Sequence, residues 1–405
     1  MLLKRNLVVT ASLVAALSCG GALAGVAATQ GVSGLIGASV ATAAEAPAAS
    51  ASKDAKAAPA ASSTVDKSAS ASASADKAVS FEASPEGTRT VTDVDGNVIE
   101  IPAQVDRVAS TIGAFSQIAA MVSGDNGGKT VADIGRTNQS ELFQKVFFKS
   151  NPHDLDSSNI ENLITADCQV VFGPMSTYSD EQKQQLADAG IAFVGLGTRT
   201  VDDICNTVLT IGQIEGEKEY ANARAFVDYY KGVIADSTEK TKDIADKPTV
   251  MQLRTSGGQY TTTNSTDICQ AYFDAAGAIN VAADYSGEGN GTALTVSAEQ
   301  ILAWNPQYIF TMYTDQADEI KADPALADVD AVKNGRIYVI PEGTYPWSVR
   351  SAEGALTTPW LDSVLHPDLF PDLDMTAEVK NFYKTFYNYE LSDEETATIL
   401  AGSAN

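Results

Sequence analysis

Two segments of the chain, residues 158–172 and 296–310, align without a gap and predict the same local structure. In each copy, apolar residues spaced as on one face of a short helix are followed by a polar turn and an apolar strand. The copies share three identical pairs of residues, Glu161 and Glu299, Gln169 and Gln307, and Phe172 and Phe310. A repeat this far apart in the sequence predicts two similar lobes with a cleft between them, each lobe carrying a glutamate at the same place.

The composition describes a large, acidic and mostly globular protein. The 405 residues, of which 44% are hydrophobic, suffice for two hydrophobic cores. The net charge is −25, and because residues 1–79 carry +2, residues 80–405 carry −27. Nucleic acids and anionic lipids bind basic surfaces, so we expect neither as an electrostatic partner. A charge of this size favours solubility outside a cell.

The first 79 residues combine an export segment with a linker. Residues 1–44 begin with two basic residues and continue as an apolar run, the layout of a secretory signal. Cys19 stands where a bacterial lipoprotein carries its lipidated cysteine, although Ala16 replaces the usual leucine. Cleavage near Ala43 and retention as a membrane anchor are the alternatives. Residues 45–79 have too few large apolar residues to form a core, so we predict a disordered tether and anchoring at the outer face of the cytoplasmic membrane.

The rest of the sequence predicts α/β structure with one long helix near its middle. Residues 88–102 alternate between polar and apolar on both sides of an Asp-Gly pair, which predicts a hairpin. Strand and helix patterns then alternate, and this order favours parallel strands joined by helical crossovers. From residue 216 to about 244, apolar residues recur at intervals of three and four, which predicts a helix of about 28 residues and about 42 Å.

These patterns divide the body of the protein into three parts. We predict an N-terminal α/β lobe at residues 80–213, a connecting helix at 214–246 and a C-terminal α/β lobe at 247–405. Both lobes are expected to be Rossmann-like, with parallel-rich sheets, and a ligand cleft is expected between them. A single long helix suits this arrangement because it acts as a rigid strut.

Metal-binding and catalytic motifs are sparse. His153 and His366 are the only histidines, which excludes a metal site built from several imidazoles. Cys168, Cys205 and Cys269 include no C-x-x-C pair, and we predict buried free thiols, with a Cys168–Cys205 bridge as the alternative. The sequence contains neither G-x-S-x-G nor H-E-x-x-H, so we do not expect a hydrolase.

The motifs together resemble the substrate-binding proteins of bacterial ABC importers. The hairpin at 91–102 is similar to the opening of these proteins, and residues 332–341 resemble their late strand. Residues 343–350 and 366–395 resemble the ending of the iron-transporter branch. The resemblance covers residues 88–400 and points to the family that binds iron–siderophore complexes, haem and cobalamin, one branch of which binds molybdate or tungstate.

The resemblance implies a mechanism and a set of partners. Two α/β lobes joined by one helix would close modestly around a ligand, and one surface glutamate per lobe would dock into arginine pockets of the permease, which works with an ATPase. Glu161 and Glu299 occupy the matching positions. The alternative is that each glutamate only stabilises its helix, since the dipole favours a first-turn anion by about 0.3–1 kcal/mol. Ser158 and Glu161 also fit a capping box.

Ligands of two-lobed α/β proteins lie beyond the carboxyl ends of the strands. That rule selects four loops, and their apolar, phenolic or cationic side chains are Phe115, Met175, Tyr178, Arg254, Tyr260, Tyr345, Trp347 and Arg350. Arg254 and Arg350 offer bidentate donors for a carboxylate or an oxyanion, and in so acidic a body they would mark where an anion binds. Each aromatic residue has the alternative of a place in the core, and Arg254 that of neutralising a nearby acid.

The expected ligand is a metal complex whose coordination shell is already filled, such as a ferric siderophore or haem. An oxyanion (molybdate or tungstate) and cobalamin are the alternatives within the same fold. We expect no intrinsic cofactor and no resident metal. A tethered cell-surface adhesion module is the alternative from another class, because the tether suits it.

Overall fold

Two β-sheets from different stretches of the sequence organise the chain, as the computed structural model shows. The structure describes residues 79–124, 129–132, 140–147, 155–290 and 292–403. The predicted export segment with Cys19, all of the tether but its last residue, and His153 lie outside the described residues.

Strands and helices alternate along most of the described chain. The strands are β1 (Thr88–Thr92), β2 (Val98–Pro102), β3 (Val108–Ser110), β4 (Thr130–Ala132), β5 (Val170–Gly173), β6 (Ala192–Gly195), β7 (Thr249–Ser256), β8 (Gln259–Thr262), β9 (Ile279–Asn280), β10 (Gly289–Asn290), β11 (Ala293–Val296), β12 (Tyr308–Thr311) and β13 (Ile337–Val339). The helices are α1 (Gly113–Ser123), α2 (Glu141–Phe147), α3 (Ile160–Thr165), α4 (Asp180–Asp188), α5 (Val201–Glu215), α6 (Glu217–Thr241), α7 (Cys269–Ala275), α8 (Ala298–Trp304), α9 (Thr314–Ala322), α10 (Asp330–Lys333), α11 (Thr357–Leu365), α12 (Met375–Phe386) and α13 (Asp393–Ala401).

The two sheets confirm the predicted α/β class with parallel strands. The first sheet has the order β4-β3-β5-β6, and all of its pairs are parallel. The second sheet has the order β10-β11-β8-β7-β12-β13, with β9 beside β7. Its strands β7, β9, β12 and β13 are parallel, whereas β8, β10 and β11 extend it in antiparallel fashion. The predicted hairpin is present as β1 and β2.

The sequence patterns do not predict the antiparallel extension, because residues 254–260 resemble one of the four loops expected beyond the strands. Gly257 and Gly258 have φ values of 59° and 79°, and they form the tight connection between β7 and β8. A Gly-Gly pair between two strands favours this kind of hairpin because both residues need positive φ. The Gly257-Gly258 pair is therefore the feature of the sequence that indicates a hairpin between β7 and β8.

The internal repeat is confirmed in backbone detail. Asp167 and Asn305, which occupy equivalent positions, both adopt positive φ, at 47° and 45°. Gln169 accepts hydrogen bonds through its side chain from the first residues of the β3 segment, and Gln307 accepts one from Thr249 at the start of β7. In both copies of the repeat, the glutamine before a strand thus binds the backbone at the start of the neighbouring parallel strand: Gln169 joins β5 to β3, and Gln307 joins β12 to β7.

The connecting helix is continuous, and α6 covers 25 residues. Its length is about 37 Å at 1.5 Å per residue. It is shorter than predicted at both ends, because Gly216, with φ of 143°, separates it from α5 and because α6 already ends at Thr241. Gly212 lies against Ala223 where α5 and α6 cross, and a β-carbon there would be only 2.6 Å from the Ala223 side chain.

One apolar cluster runs through both halves of the described chain, from Val91 to Ile399. Phe226 of α6 contacts Phe382 and Phe386 of α12, with ring centroids 6.2 Å and 5.4 Å away. Phe147 of α2 lies 4.8 Å from the ring of Tyr387. The C-terminal helices therefore pack back onto the first half, and the lobe boundaries at 213 and 247 stay a prediction.

The cysteines match the prediction, since Cys168, Cys205 and Cys269 are buried free thiols and no Cys168–Cys205 bridge forms. Burial raises the pKa of Cys205 to about 11, which keeps it protonated at neutral pH. Among the helices of the described residues, none has the length and apolar character needed to cross a membrane.

A buried carboxyl ties α6 to α11 and predicts a pH-dependent stability. Asp362 is 3% exposed and accepts a 2.7 Å hydrogen bond from Ser237. Burial raises its pKa from 3.8 to about 7, with Asp236 raising it and Lys240 lowering it. The folded state therefore holds more protons than the unfolded state between these two values, and stability falls as the pH rises through that interval.

Asp362→Asn is expected to remove this slope, because the amide stays neutral and still accepts the Ser237 hydrogen bond. The measurement is the melting temperature of both proteins from pH 4.5 to 8. The two curves should diverge towards high pH, with the variant the more stable there. Parallel curves would show that Asp362 titrates normally in the folded protein.

Candidate functional site

Two arginines lie at the carboxyl end of the second sheet. Arg254 is near the end of β7, and Arg350 closes the loop that follows β13. Arg350 donates to Asp267, with Nη2 3.3 Å from Oδ2, and about a quarter of the Arg350 side chain is exposed. The buried Nε of Arg254 has no hydrogen-bond partner among the described residues.

The thiol of Cys269 lies within electrostatic reach of both arginines and of Asp267. Burial raises its pKa well above the usual range, and the positive charges of both Arg254 and Arg350 act in the opposite direction. Cys269 also donates to the carbonyl of Ser348 at 3.3 Å. Both guanidinium groups therefore lie within electrostatic reach of one buried atom beside the 342–350 loop.

Two buried hydroxyls near this point, those of Ser348 and Ser351, have no partner among the described residues. The Thr255 hydroxyl has none either, but successive side chains of a strand point to opposite faces, so it lies across β7 from Arg254, on the face of Tyr260. A buried donor without an acceptor costs about 1–3 kcal/mol. The Ser348 and Ser351 hydroxyls and the Arg254 Nε together form a set of donors suited to an oxygen-rich anion.

Two tyrosines border this set. Burial raises the pKa of Tyr345, Glu342 raises it further, and a backbone hydrogen bond from Ala114 at the start of α1 opposes the rise. Burial also raises the pKa of Tyr313, with Glu342 adding to the shift and Arg254 opposing it. Both phenols are therefore neutral at physiological pH and act as hydrogen-bonding groups rather than phenolates.

Tyr313 was not among the predicted residues. It is equivalent to Met175 when the internal repeat is continued by three residues beyond Phe172 and Phe310. Extending the alignment in this way would have identified it.

The structure buries three of the predicted ligand residues. Phe115 and Trp347 are fully buried and Tyr178 is 4% exposed. Trp347 donates from Nε1 to Glu353 at 2.9 Å, and Tyr178 donates to the carbonyl of Ser157 at 2.7 Å. In this conformation they offer no accessible surface, and their contact with a ligand stays a prediction.

Met175 and Tyr260 lie elsewhere. The Met175 sulfur covers Gly195, where a β-carbon would be only 1.8 Å away. Tyr260 donates to Asp323 and packs against a second apolar cluster, which contains Leu253 and Val296. Of the eight predicted residues, Tyr345 and Arg350 share the 342–350 loop, and the charge of Arg254 acts on Cys269, which donates to Ser348 of that loop. Their contact with a ligand stays a prediction.

The predicted docking glutamates have equivalent positions. Glu161 is the second residue of α3 and Glu299 is the second residue of α8, and both are exposed. Hydrogen bonds from its own backbone and from Ser297 lower the pKa of Glu299, so it is ionised. The predicted Ser158 capping box is wrong, because Asn159 is the N-cap and accepts from the Glu161 backbone at 3.0 Å.

No metal cluster is present in the described part of the chain, where no three His, Cys, Asp or Glu side chains come together. His366 instead contacts the carbonyl of Ala276, with Nε2 2.9 Å from the oxygen. The features that could hold a ligand are therefore hydrogen-bond donors and positive charge.

Comparison with known proteins identifies the family. A family model described as periplasmic binding protein matches residues 109–344, more than half of the chain. The chain belongs to this family. It is a periplasmic binding protein of an ABC importer, and such proteins deliver their ligand to a permease and its ATPase. Its relatives are binding proteins rather than enzymes.

Individual relatives share the fold over nearly their full length. The chain is 26% identical over 365 residues to the molybdate-binding protein MolA of Haemophilus influenzae, covering 79% of this chain and 96% of MolA. MolA bound to molybdate superposes with a TM-score of 0.64 at 20% identity, covering 75% of this chain and 99% of that chain. A periplasmic solute-binding protein of Veillonella parvula gives 0.67 at 26% identity, covering 77% and 97%. The haem-binding protein HutB of Vibrio cholerae gives 0.52 at 17% identity, covering 64% and 99%.

Proposed function

We propose that this binding protein captures a small oxyanion of the molybdate or tungstate type outside the cytoplasm and delivers it to the permease. The buried, unpartnered Nε of Arg254, in the same region as Arg350 and the unpartnered hydroxyls of Ser348 and Ser351, carries the proposal. An oxyanion accepts hydrogen bonds on all sides, so one ligand would satisfy these donors together. MolA, whose name records molybdate binding, supports the same cargo.

The negative charge of the protein restricts where an anion can bind. The body carries −27, so the general field repels an anion, and only a local excess of positive charge can hold one. Asp267 neutralises part of Arg350, whereas the Arg254 Nε has no acceptor among the described residues. Arg254 is therefore the group from which we expect the largest share of the affinity.

The second candidate is the iron complex expected from the sequence. Arginines also hold carboxylate groups, so a ferric chelate with a net negative charge would use Arg254 and Arg350 in the same way. Tyr313 and Tyr345 would contact it as neutral phenols, because their raised pKa values disfavour direct coordination of the metal. Membership of the iron-transporter branch is a further proposal that belongs to this candidate. The lipid anchor at Cys19 is a separate proposal that holds for either cargo.

A melting assay with a panel of cargoes separates the candidates. The panel contains molybdate, tungstate, sulfate, a ferric carboxylate siderophore, haem and cobalamin. Saturation at 100 times the dissociation constant stabilises a protein by about 2.7 kcal/mol, which shifts the melting temperature measurably. We expect a shift with molybdate and tungstate and a smaller one with sulfate. A shift with the siderophore alone would replace the oxyanion by the chelate, and a response confined to cobalamin would refute both.

A further inference from the structure

A single buried carboxylate organises the loop at residues 342–350. Glu353 is fully buried. Its Oε1 accepts hydrogen bonds from the backbone N–H of Thr344 at 2.9 Å, from the Thr344 hydroxyl, and from the Tyr383 hydroxyl at 2.7 Å. Its Oε2 accepts from Trp347 Nε1 at 2.9 Å. One side chain thus fastens two points of the loop and connects them to α12.

Gln117 extends this attachment to α1, which comes from the first half of the chain. Its side-chain amide is fully buried and donates to the Thr344 hydroxyl oxygen at 2.7 Å. Its carbonyl oxygen accepts from the backbone N–H of Ala352 at 2.9 Å. The backbone of Ala114, at the start of the same helix, contacts the Tyr345 hydroxyl. The loop is therefore held against α1 at Thr344 and Tyr345, and Gln117 also holds Ala352 just beyond the end of the loop.

The chemistry of this network favours a carboxyl group at position 353, because all of its partners donate and both carboxyl oxygens accept. Burial raises the pKa of Glu353, and the hydrogen bonds from Thr344, Tyr383 and Trp347 oppose that rise. A glutamine would direct its own N–H groups at Trp347 Nε1 or at Thr344 and Tyr383, leaving buried donors facing each other. The backbone is equally constrained, because a β-carbon on Gly343 would lie 2.1 Å from the Tyr383 hydroxyl.

We propose that Glu353 is a positioning residue for cargo binding, which together with Gln117 holds the loop bearing Tyr345 and Arg350 in a fixed relation to α1. Glu353 itself does not need to touch the cargo. The proposal rests on the proposed function only in assigning Tyr345 and Arg350 to the cargo site. The loop and α1 come from opposite halves of the chain, so the network also sets how the two halves of the site meet.

The first test uses the cargo-free protein. In Glu353→Gln, amide hydrogen exchange of residues 342–352 is expected to accelerate by at least about tenfold, which corresponds to about 1.4 kcal/mol, because a buried amide N–H would then face donors in the loop. Exchange in β5 and β6 should stay unchanged. Asp362→Asn is the matched control, because it replaces another buried carboxyl group, outside the loop, by an amide. Loop exchange equal in the two variants would overturn the proposal and leave Glu353 as an ordinary core residue.

The second test measures affinity for molybdate by titration calorimetry. Glu353→Gln and Gln117→Leu are each expected to weaken binding by about tenfold, and the double variant by less than the product, because both act through the same loop. If Glu353→Gln does not fold, Thr344→Val removes the shared hydroxyl and serves instead. Unchanged affinity in a variant with a mobile loop would overturn the positioning role.

The two tests separate this proposal from that of the cargo. If the wild type fails to bind molybdate, the oxyanion assignment is lost, and the titration is repeated with the panel member that raises the melting temperature. The exchange experiment needs no cargo, and its result on the loop stands in either case.

Discussion

Reversing the charge of Glu161 and Glu299 together is expected to abolish uptake while leaving cargo affinity unchanged. Both side chains are exposed at the second position of equivalent helices, far in sequence from Arg254 and Arg350. If each docks into a basic pocket of the permease, its replacement by arginine puts like charges together and costs on the order of 2–5 kcal/mol per site. Transport of labelled cargo and calorimetric affinity are the two measurements.

The control for this experiment is Glu217→Arg with Glu394→Arg. These glutamates are also exposed and lie in the first turns of α6 and α13, so the change in net charge and the loss of helix-dipole stabilisation are matched. The control should transport at the normal rate. Normal transport by the Glu161 and Glu299 double variant would remove the docking assignment, and equal loss in both pairs would show a nonspecific effect of charge.

Arg254→Ala is expected to weaken oxyanion binding by about 10- to 150-fold, which corresponds to the 1.5–3 kcal/mol of a hydrogen bond to a charged group. Arg254→Lys should recover only part of the loss, because lysine keeps the charge but has no Nε–H and no planar fork. Arg254 is a cleaner choice than Arg350, whose removal would leave the nearly buried Asp267 without its cation. Titration calorimetry with molybdate supplies the affinities.

Arg336→Ala is the matched control for Arg254. Arg336 is also half-buried and belongs to the second sheet, but it precedes β13 at the opposite end of the strands, over the ring of Tyr308. Its removal should change stability and leave affinity within about twofold. Equal losses of affinity for Arg254→Ala and Arg336→Ala would contradict a site at the carboxyl ends of the strands.

The parts of the fold that follow from local chemistry were predictable. Ser392 and Glu395 form the capping box of α13 that a Ser-x-x-Glu pattern favours, and the Asp-Gly pair gives the expected turn between β1 and β2. The internal repeat located two strand pairs correctly because its glutamines, Gln169 and Gln307, have the same structural task in both copies. Periodicity alone sufficed for α6, since a long amphipathic pattern has few other solutions.

The site was harder to predict, because it depends on which surfaces meet. Trp347 lies in a segment that looks like an exposed loop, and nothing near it in the sequence shows that its side chain is buried with its indole N–H bonded to Glu353. Phe115 belongs to a helix whose residues are all buried, because α2, α5 and α6 pack against it. That Arg254 and Arg350 hold a ligand stays a prediction, and both lie at the carboxyl end of the second sheet, in two of the loops that the rule for α/β proteins selects.

The contact between Phe147 of α2 and Tyr387, which follows α12, limits what loading can change. Some binding proteins open widely when empty, but here wide separation of the first half from the C-terminal helices would expose the buried Phe147 to water, at about 1.5–3 kcal/mol for the phenylalanine. Empty and loaded molecules must then have nearly the same outline. A permease that accepts only the loaded form would then have to recognise a few side chains that move at the edge of the site, rather than a change in the outline of the protein.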